Sequence, residues 1–327
     1  MKARLLSALG AALWFFTVSA YAGQVGFSKL TVPDGANPPL QVGVWYPTDA
    51  PARPTQIGLF TQAVAVDAPI RGAALKLVAI SHGHGGEFAG HSDTAYALAA
   101  SGFVAASLTH TGDNYRDESR GLDMAGRTRS LHAVIDAMMT HWPRGTLDPD
   151  HVGLFGFSAG GFTVLAEAGG TPDMRRIGPH CVAHPDFFDC ALTAGHRPGN
   201  HDAAATYTHD ARIRAVVAAA PALGFTCTAA GLRDVTMPVQ LWRAGNDKVL
   251  PSPFYVEPVA AALPHPPDLH VVPGAGHFDV LAPCPAALAK VAPAICISAP
   301  GFDRAAFHDA FNRAVVAFFT RALAPGN

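Results

Sequence analysis

The chain has 327 residues, of which 49% are hydrophobic and 15% charged, with a formal net charge of −2. That length suits one large α/β domain or two small ones, and the apolar share supplies a sizeable core and excludes a disordered chain. No basic block occurs, which argues against a nucleic acid as partner.

The first 22 residues read as an export leader. Lys2 and Arg4 form a charged start, Leu5 to Val18 an apolar run, and Ala20-Tyr21-Ala22 a small-residue cleavage site. The run is short for a membrane span, and no cysteine follows it at once. The expectation is a mature chain from about Gly23, periplasmic or secreted, with no stable membrane anchor. Loss of the two leader cations takes the formal charge from −2 to −4.

Gln24 to Val32 and Leu40 to Tyr46 predict an opening antiparallel hairpin, with Leu40, Val42, Val44 and Tyr46 alternating. Asp49 to Arg71, rich in Pro and Ala, reads as loop. Leu75 to Ile80 is a continuous apolar run, as in a strand covered on both faces. It leads into Ser81-His82-Gly83-His84-Gly85-Gly86. A helix over about 92–101 and a buried strand over 103–108 follow, the latter ending at His110 and Asp113. Leu131, Val134, Ile135 and Met138 set a helix over roughly 124–140.

Val152 to Phe157 is the next strand. It breaks at Gly156-Phe157-Ser158-Ala159-Gly160, and an Ala-rich helix follows. Residues 170–212 lack periodicity and read as a lid-like excursion over the strand ends. Strands are predicted at 213–220, 239–243 and 269–272, and helices at 284–291 and 303–323. This alternation gives a mainly parallel central sheet covered by helices on both faces, in one domain over 23–327.

Gly-x-Ser-x-Gly between strand and helix is a nucleophile elbow. A serine hydroxyl needs a base, and the base needs an orienting group. In this arrangement both follow the serine, at the C-terminal ends of strands, in the order acid then histidine. Asp247 ends the strand 239–243, 89 residues after Ser158. His277 ends the strand 269–272, a further 30 residues on, behind Gly274-Ala275-Gly276. Asp234 and Asp268 precede strands, and Asp279 stands too near His277 in sequence, so Asp247 is the predicted acid. The amides of His84 and Ala159 are the predicted oxyanion donors. His110 and Asp113 are candidates to line the pocket, with a solvated loop as the alternative.

His82 and His84 at i, i+2 lack a carboxylate pair and make a poor metal site. His180, Cys181, His184 and Cys190 could be drawn as a zinc site, but exported cysteines at this spacing more often pair. The nearest pairs, Cys181–Cys190 and Cys284–Cys296, close short loops and leave Cys227 over, although sequence alone does not fix connectivity. No metal and no other cofactor is expected.

Val44-Trp45-Tyr46-Pro47, Ser81-His82-Gly83-His84-Gly85, Gly156-Phe157-Ser158-Ala159-Gly160-Gly161 and Gly274-Ala275-Gly276-His277-Phe278-Asp279 resemble one group of the α/β-hydrolases. It is the bacterial predicted dienelactone hydrolases, similar to the platelet-activating-factor acetylhydrolases. The likeness runs from about Gln41 to Leu323. It implies an α/β-hydrolase fold and an esterase with Ser158, Asp247 and His277 as triad. True dienelactone hydrolases use cysteine where this chain has Ser158, which turns the expectation toward other esters. The expected partner is a small-molecule ester. An amidase or peptidase with the same triad, and an inactive binding module on this fold, are the alternatives.

Overall fold

The computed structural model describes residues 23–143, 145–194, 206–324 and 326. The leader at 1–22 lies outside them.

β1 (Gln24–Asp34) and β2 (Asn37–Thr48) form the expected antiparallel hairpin. The segment read as loop is instead a second hairpin, β3 (Arg53–Ile57) and β4 (Phe60–Val66). Pro54 is tolerated because β3 is the outermost strand, where a missing N–H breaks no second ladder. Trp45 Nε1 donates to Gln62 Oε1 at 2.8 Å and fastens this hairpin to the sheet.

A core of alternating strands and helices follows: β5 (Leu75–Ser81), α1 (Ser92–Ala100), β6 (Val104–Thr109), α2 (Met124–His141), β7 (Leu147–Phe157) and α3 (Ala159–Glu167). Within the excursion, α4 (Ile177–Ala183) and α5 (Phe188–Ala194) are short helices, where the sequence shows no periodicity. Seven residues are two turns, too few to print a 3.6-residue period. The chain returns through β8 (Ile213–Ala219), β9 (Val239–Ala244), α6 (Val256–Ala262), β10 (Asp268–Val272), α7 (Ala286–Val291) and α8 (Arg304–Ala322). Asp303 caps α8 by accepting from the Ala306 amide at 3.0 Å.

The strands make one ten-stranded sheet in the order β10-β9-β8-β7-β5-β6-β2-β1-β4-β3. From β10 to β6 all neighbours are parallel. The apolar run in β5 is explained by its two faces. Leu77 and Ala79 belong to the apolar layer that also holds residues of α2, α3 and α6, while Val78 and Ile80 belong to the one that holds residues of α1 and α8. Phe311, Val315, Phe318 and Phe319 of α8 are buried on that second face. Each contributes on the order of 1.5–3 kcal/mol of apolar burial.

Two disulfides are present, Cys181–Cys190 joining α4 to α5 and Cys284–Cys296 bracketing α7. Cys227 is free and buried, and burial pushes its thiol up to about 12. No helix among the described residues is long and apolar enough to cross a membrane.

A buried polar knot ties the end of the excursion to α2 and α3. Glu167, at the end of α3, is fully buried, with Oε1 2.9 Å from His132 Nδ1. Asp210 Oδ2 lies 3.4 Å from the same nitrogen and is bound by Arg212, whose charge already neutralises it. A cation is therefore poorly served here. Burial pushes Glu167 up to about 7 against the pull of His132, and the bond to Glu167 raises His132. Both folded groups hold their protons to higher pH than the unfolded chain does. The stabilisation is thus present at low pH and is lost as pH rises through their folded values. The unfolding midpoint should fall between about pH 5 and pH 8, and Glu167→Gln should flatten that fall. An unchanged slope in thermal melts of the variant would locate the effect elsewhere.

Candidate active site

β7 delivers the chain to Ser158, which adopts φ 54° and ψ −118°, and α3 starts at the next residue. Few non-glycine residues occupy such a conformation, and it costs roughly 1–3 kcal/mol. The flanking glycines make the turn possible. A Cβ on Gly156 would stand 2.1 Å from the Gly160 carbonyl oxygen, and one on Gly160 would stand 2.0 Å from that of Ser81. The serine is fixed in place by its own amide, which donates to Ala219 O at 2.9 Å, and by its carbonyl, which accepts from Ala222 N at 2.9 Å.

The structure brings Ser158, His277 and Asp247 together. His277 Nε2 is 3.0 Å from Ser158 Oγ, and His277 Nδ1 is 2.7 Å from Asp247 Oδ2. All three are buried, at 8%, 4% and 8% exposure. With the carboxylate accepting Nδ1–H, the Nε2 lone pair faces the serine hydroxyl. The loop to His277 leaves β10 through Gly274 at φ 78°. The imidazole lies 4.8 Å from the Phe157 ring, centroid to centroid. Asp247 cannot swing, because its Oδ1 accepts from the amides of Val249 and Leu250 at 2.9 and 2.7 Å.

The other aspartates have different duties. Asp234 is largely exposed beside Arg233, and Asp268 pairs with Gln240 and His270 at the start of β10. Asp279 is buried, yet its carboxylate accepts from the Gly276 amide at 2.7 Å and from the Ser298 hydroxyl. It braces the loop carrying His277 and does not reach that ring's Nδ1.

The loop 81–86 passes against the serine. A Cβ on Gly83 would lie 3.2 Å from Ser158 Cβ. Ala159 opens α3, so its amide has no intrahelical acceptor. The Gly85 amide is taken by Asp113 Oδ1 at 2.9 Å, whereas that of His84 has no acceptor among the described residues.

His110 and Asp113 do not line the cavity; they lie behind it, each 1% exposed. His110 Nε2 is 2.8 Å from Ser81 Oγ. Asp113 forms a buried ion pair with Arg127, which also donates to the His82 carbonyl and, at 3.1 Å, to Thr163 Oγ1. Burial opposes the Asp113 charge, but Arg127 and His84 hold its carboxyl well below the usual range. His84 Nδ1 is 2.7 Å from Asp113, and that contact raises the imidazole. Breaking a buried pair of this kind costs about 3–5 kcal/mol. Arg127 was not foreseen from sequence.

The metal readings lose their ligands. His82 Nδ1 is 2.5 Å from the Gly83 carbonyl and its Nε2 accepts the His110 amide at 3.0 Å. Burial and Arg127 lower this imidazole to about 3, which keeps it neutral. Cys181 and Cys190 are joined to each other, so neither offers a thiolate to zinc.

A narrow cavity, open at its mouth, adjoins Ser158 and Ala159. Its walls are mainly apolar, with Leu122 and Met124 before the elbow, Met174, Ile177 and Leu192 from the excursion, and Leu223 and Leu250 after β8 and β9. The excursion thus roofs the serine. Ile177 and Met174 pack with Phe162, Phe225 and Tyr255 in a small apolar cluster of their own.

No family model matches the chain, and no curated protein matches it. Among solved structures, a ferulic acid esterase from Streptomyces cinnamoneus superposes with a TM-score of 0.63 at 19% identity, covering 92% of this chain and 92% of that one. At that identity the likeness speaks for the fold. With the sheet order and crossovers described above, the fold is that of the α/β-hydrolases.

Proposed function

We propose that the protein is a serine hydrolase of carboxylic esters, working through an acyl-enzyme on Ser158. The observation that carries this is the continuous hydrogen-bonded line from Ser158 Oγ through His277 to Asp247. His277 Nε2 takes the serine proton as Oγ attacks the ester carbonyl. Asp247 holds the ring tautomer and stabilises the imidazolium. The amides of His84 and Ala159 receive the oxyanion, and the imidazolium then protonates the leaving alcohol. Water, activated by the same histidine, hydrolyses the acyl-enzyme. The apolar cavity and a structural neighbour named as a ferulic acid esterase support an ester with an apolar part.

A fluorophosphonate should label Ser158 alone, seen by peptide mass, and abolish hydrolysis of p-nitrophenyl esters. A chain-length series then ranks the acyl groups. Faster turnover of matched anilides than of esters would turn the reading to an amidase. Labelling elsewhere, with esterase activity intact, would overturn it.

We also propose export, supported by two disulfides of the kind formed in oxidising compartments. Protein recovered from periplasm or medium should begin near Gly23 by intact mass. An exported chain that retains Met1 would contradict the leader reading.

A further inference from the structure

Arg127 lies in α2, is 2% exposed, and does not line the cavity beside Ser158. Its guanidinium pairs with Asp113, donates to the His82 carbonyl, and donates through Nε to Thr163 Oγ1 at 3.1 Å. A longer contact, 3.4 Å, reaches Ser81 Oγ.

These arms converge on the two backbone amides that the mechanism turns on the oxyanion. The His84 amide belongs to the peptide between Gly83 and His84. The peptide before it is held by Arg127 at the His82 carbonyl. The peptide after it is held by Asp113, whose Oδ1 accepts the Gly85 amide at 2.9 Å. The peptide that bears the His84 amide is thus strung between the two partners of one ion pair. Glycine on either side of His84 leaves that stretch little stiffness of its own. The third arm reaches the other amide's residue. The Thr163 hydroxyl, accepting from Arg127, donates in turn to the Ala159 carbonyl at 2.8 Å. Loop and helix are in close contact at the same point, since a Cβ on Gly160 would stand 2.7 Å from the His82 carbonyl.

Stability alone does not call for such a group. A buried ion pair is often replaced by apolar residues at no cost. An oxyanion hole, by contrast, needs its donors set in place before charge develops. A planar guanidinium with donors in a fixed fork can hold several acceptors in one relation, which a lysine ammonium cannot. We propose that Arg127, through Asp113 and Thr163, is the positioning residue of the oxyanion hole and fixes the His84 and Ala159 amides relative to each other. It touches no reacting atom. This deepens the esterase reading and rests on it.

The test uses Arg127→Lys, which keeps a charge opposite Asp113 and loses the fork. Active serines are first counted by titration to completion with a fluorophosphonate, so that kcat is expressed per reactive site. For an aryl ester, kcat per site should fall by about 10²-fold with KM nearly unchanged, the mark of an interaction made in the transition state. An aryl trifluoromethyl ketone reports on the hole directly. Ser158 Oγ adds to its carbonyl carbon, the C=O π bond opens to an oxyanion, and the serine proton passes to His277. Its affinity should drop by a similar factor. The pH midpoint of kcat/KM should stay where it is, because the line from Ser158 to Asp247 is untouched. Should Arg127→Lys not fold, Thr163→Val decides. That variant cuts only the arm to Ala159 and should lower kcat per site and ketone affinity together, by a smaller factor. Wild-type kcat per site and ketone affinity in the deciding variant overturn the inference. So does a loss confined to the number of titratable sites, which would make the pair a support of the fold alone. A displaced pH midpoint overturns it too, by placing the effect on His277. In each of these cases the esterase reading stands, whereas absence of ester turnover by folded wild-type protein overturns both.

Discussion

Ser158→Ala and His277→Ala should each lower kcat for an aryl ester by about 10⁶-fold, with the double variant little worse than either. The expectation rests on the 3.0 Å contact between Ser158 Oγ and His277 Nε2. Without the hydroxyl there is no nucleophile in that position, and without the imidazole the hydroxyl keeps its proton. Neither substitution should disturb the fold greatly. Alanine retains the positive φ of Ser158, and the loop bearing His277 keeps its brace from Asp279 to the Gly276 amide. Residual hydrolysis some 10³–10⁴-fold above the uncatalysed rate should persist if the His84 and Ala159 amides still polarise the carbonyl. Steady-state kinetics with thermal melts would decide. Wild-type turnover in folded Ser158→Ala would sink the mechanism.

Asp247→Asn should cost about 10⁴-fold in kcat, following the serine-protease precedent. The local geometry makes the reason specific. The amides of Val249 and Leu250 both donate to Oδ1. An asparagine must therefore set its oxygen there and turn its NH₂ toward His277 Nδ1. Facing a donor, the ring carries its proton on Nε2, the nitrogen that must accept from Ser158. Asp279→Asn should lose far less, since it weakens a loop brace 2.7 Å long and leaves the imidazole partner in place. Asp234→Asn, at an exposed site, should lose nothing measurable. A near-active Asp247→Asn beside an inactive Asp279→Asn would assign the orienting role to Asp279.

The elbow was legible because half of its constraint is local. Gly156 is required by the Gly160 carbonyl four residues on, which the sequence spacing records directly, whereas Gly160 answers to the Ser81 carbonyl at the end of β5. Asp247 and His277 were legible because a parallel sheet brings its strand ends to one edge. The hairpin of β3 and β4 was not, because Pro54 and the alanines look like loop and only the edge position excuses them. The excursion over the strand ends was legible, but its two helices were hidden for another reason. α4 and α5 are two turns each, and their apolar contacts form with Phe225 and Tyr255, far off in sequence. Arg127 left no trace either. A cation in a helix reads as surface, and its burial depends on Asp113 and the His82 carbonyl arriving from two other strand ends. His110 and Asp113 stand at the strand end where the sequence puts them, but they are buried, neither solvated nor among the residues lining the cavity beside Ser158.

The backbone of Ser158 sets folding and reactivity against each other. Its φ of 54° is a conformation that glycine adopts freely and serine does not. On the proposed mechanism, replacing Ser158 by glycine relieves the turn and removes the nucleophile, so stability and turnover pull in opposite directions at this position. Variants chosen only for heat resistance would drift away from serine at this position. Any thermostabilised form has to be selected with turnover measured alongside.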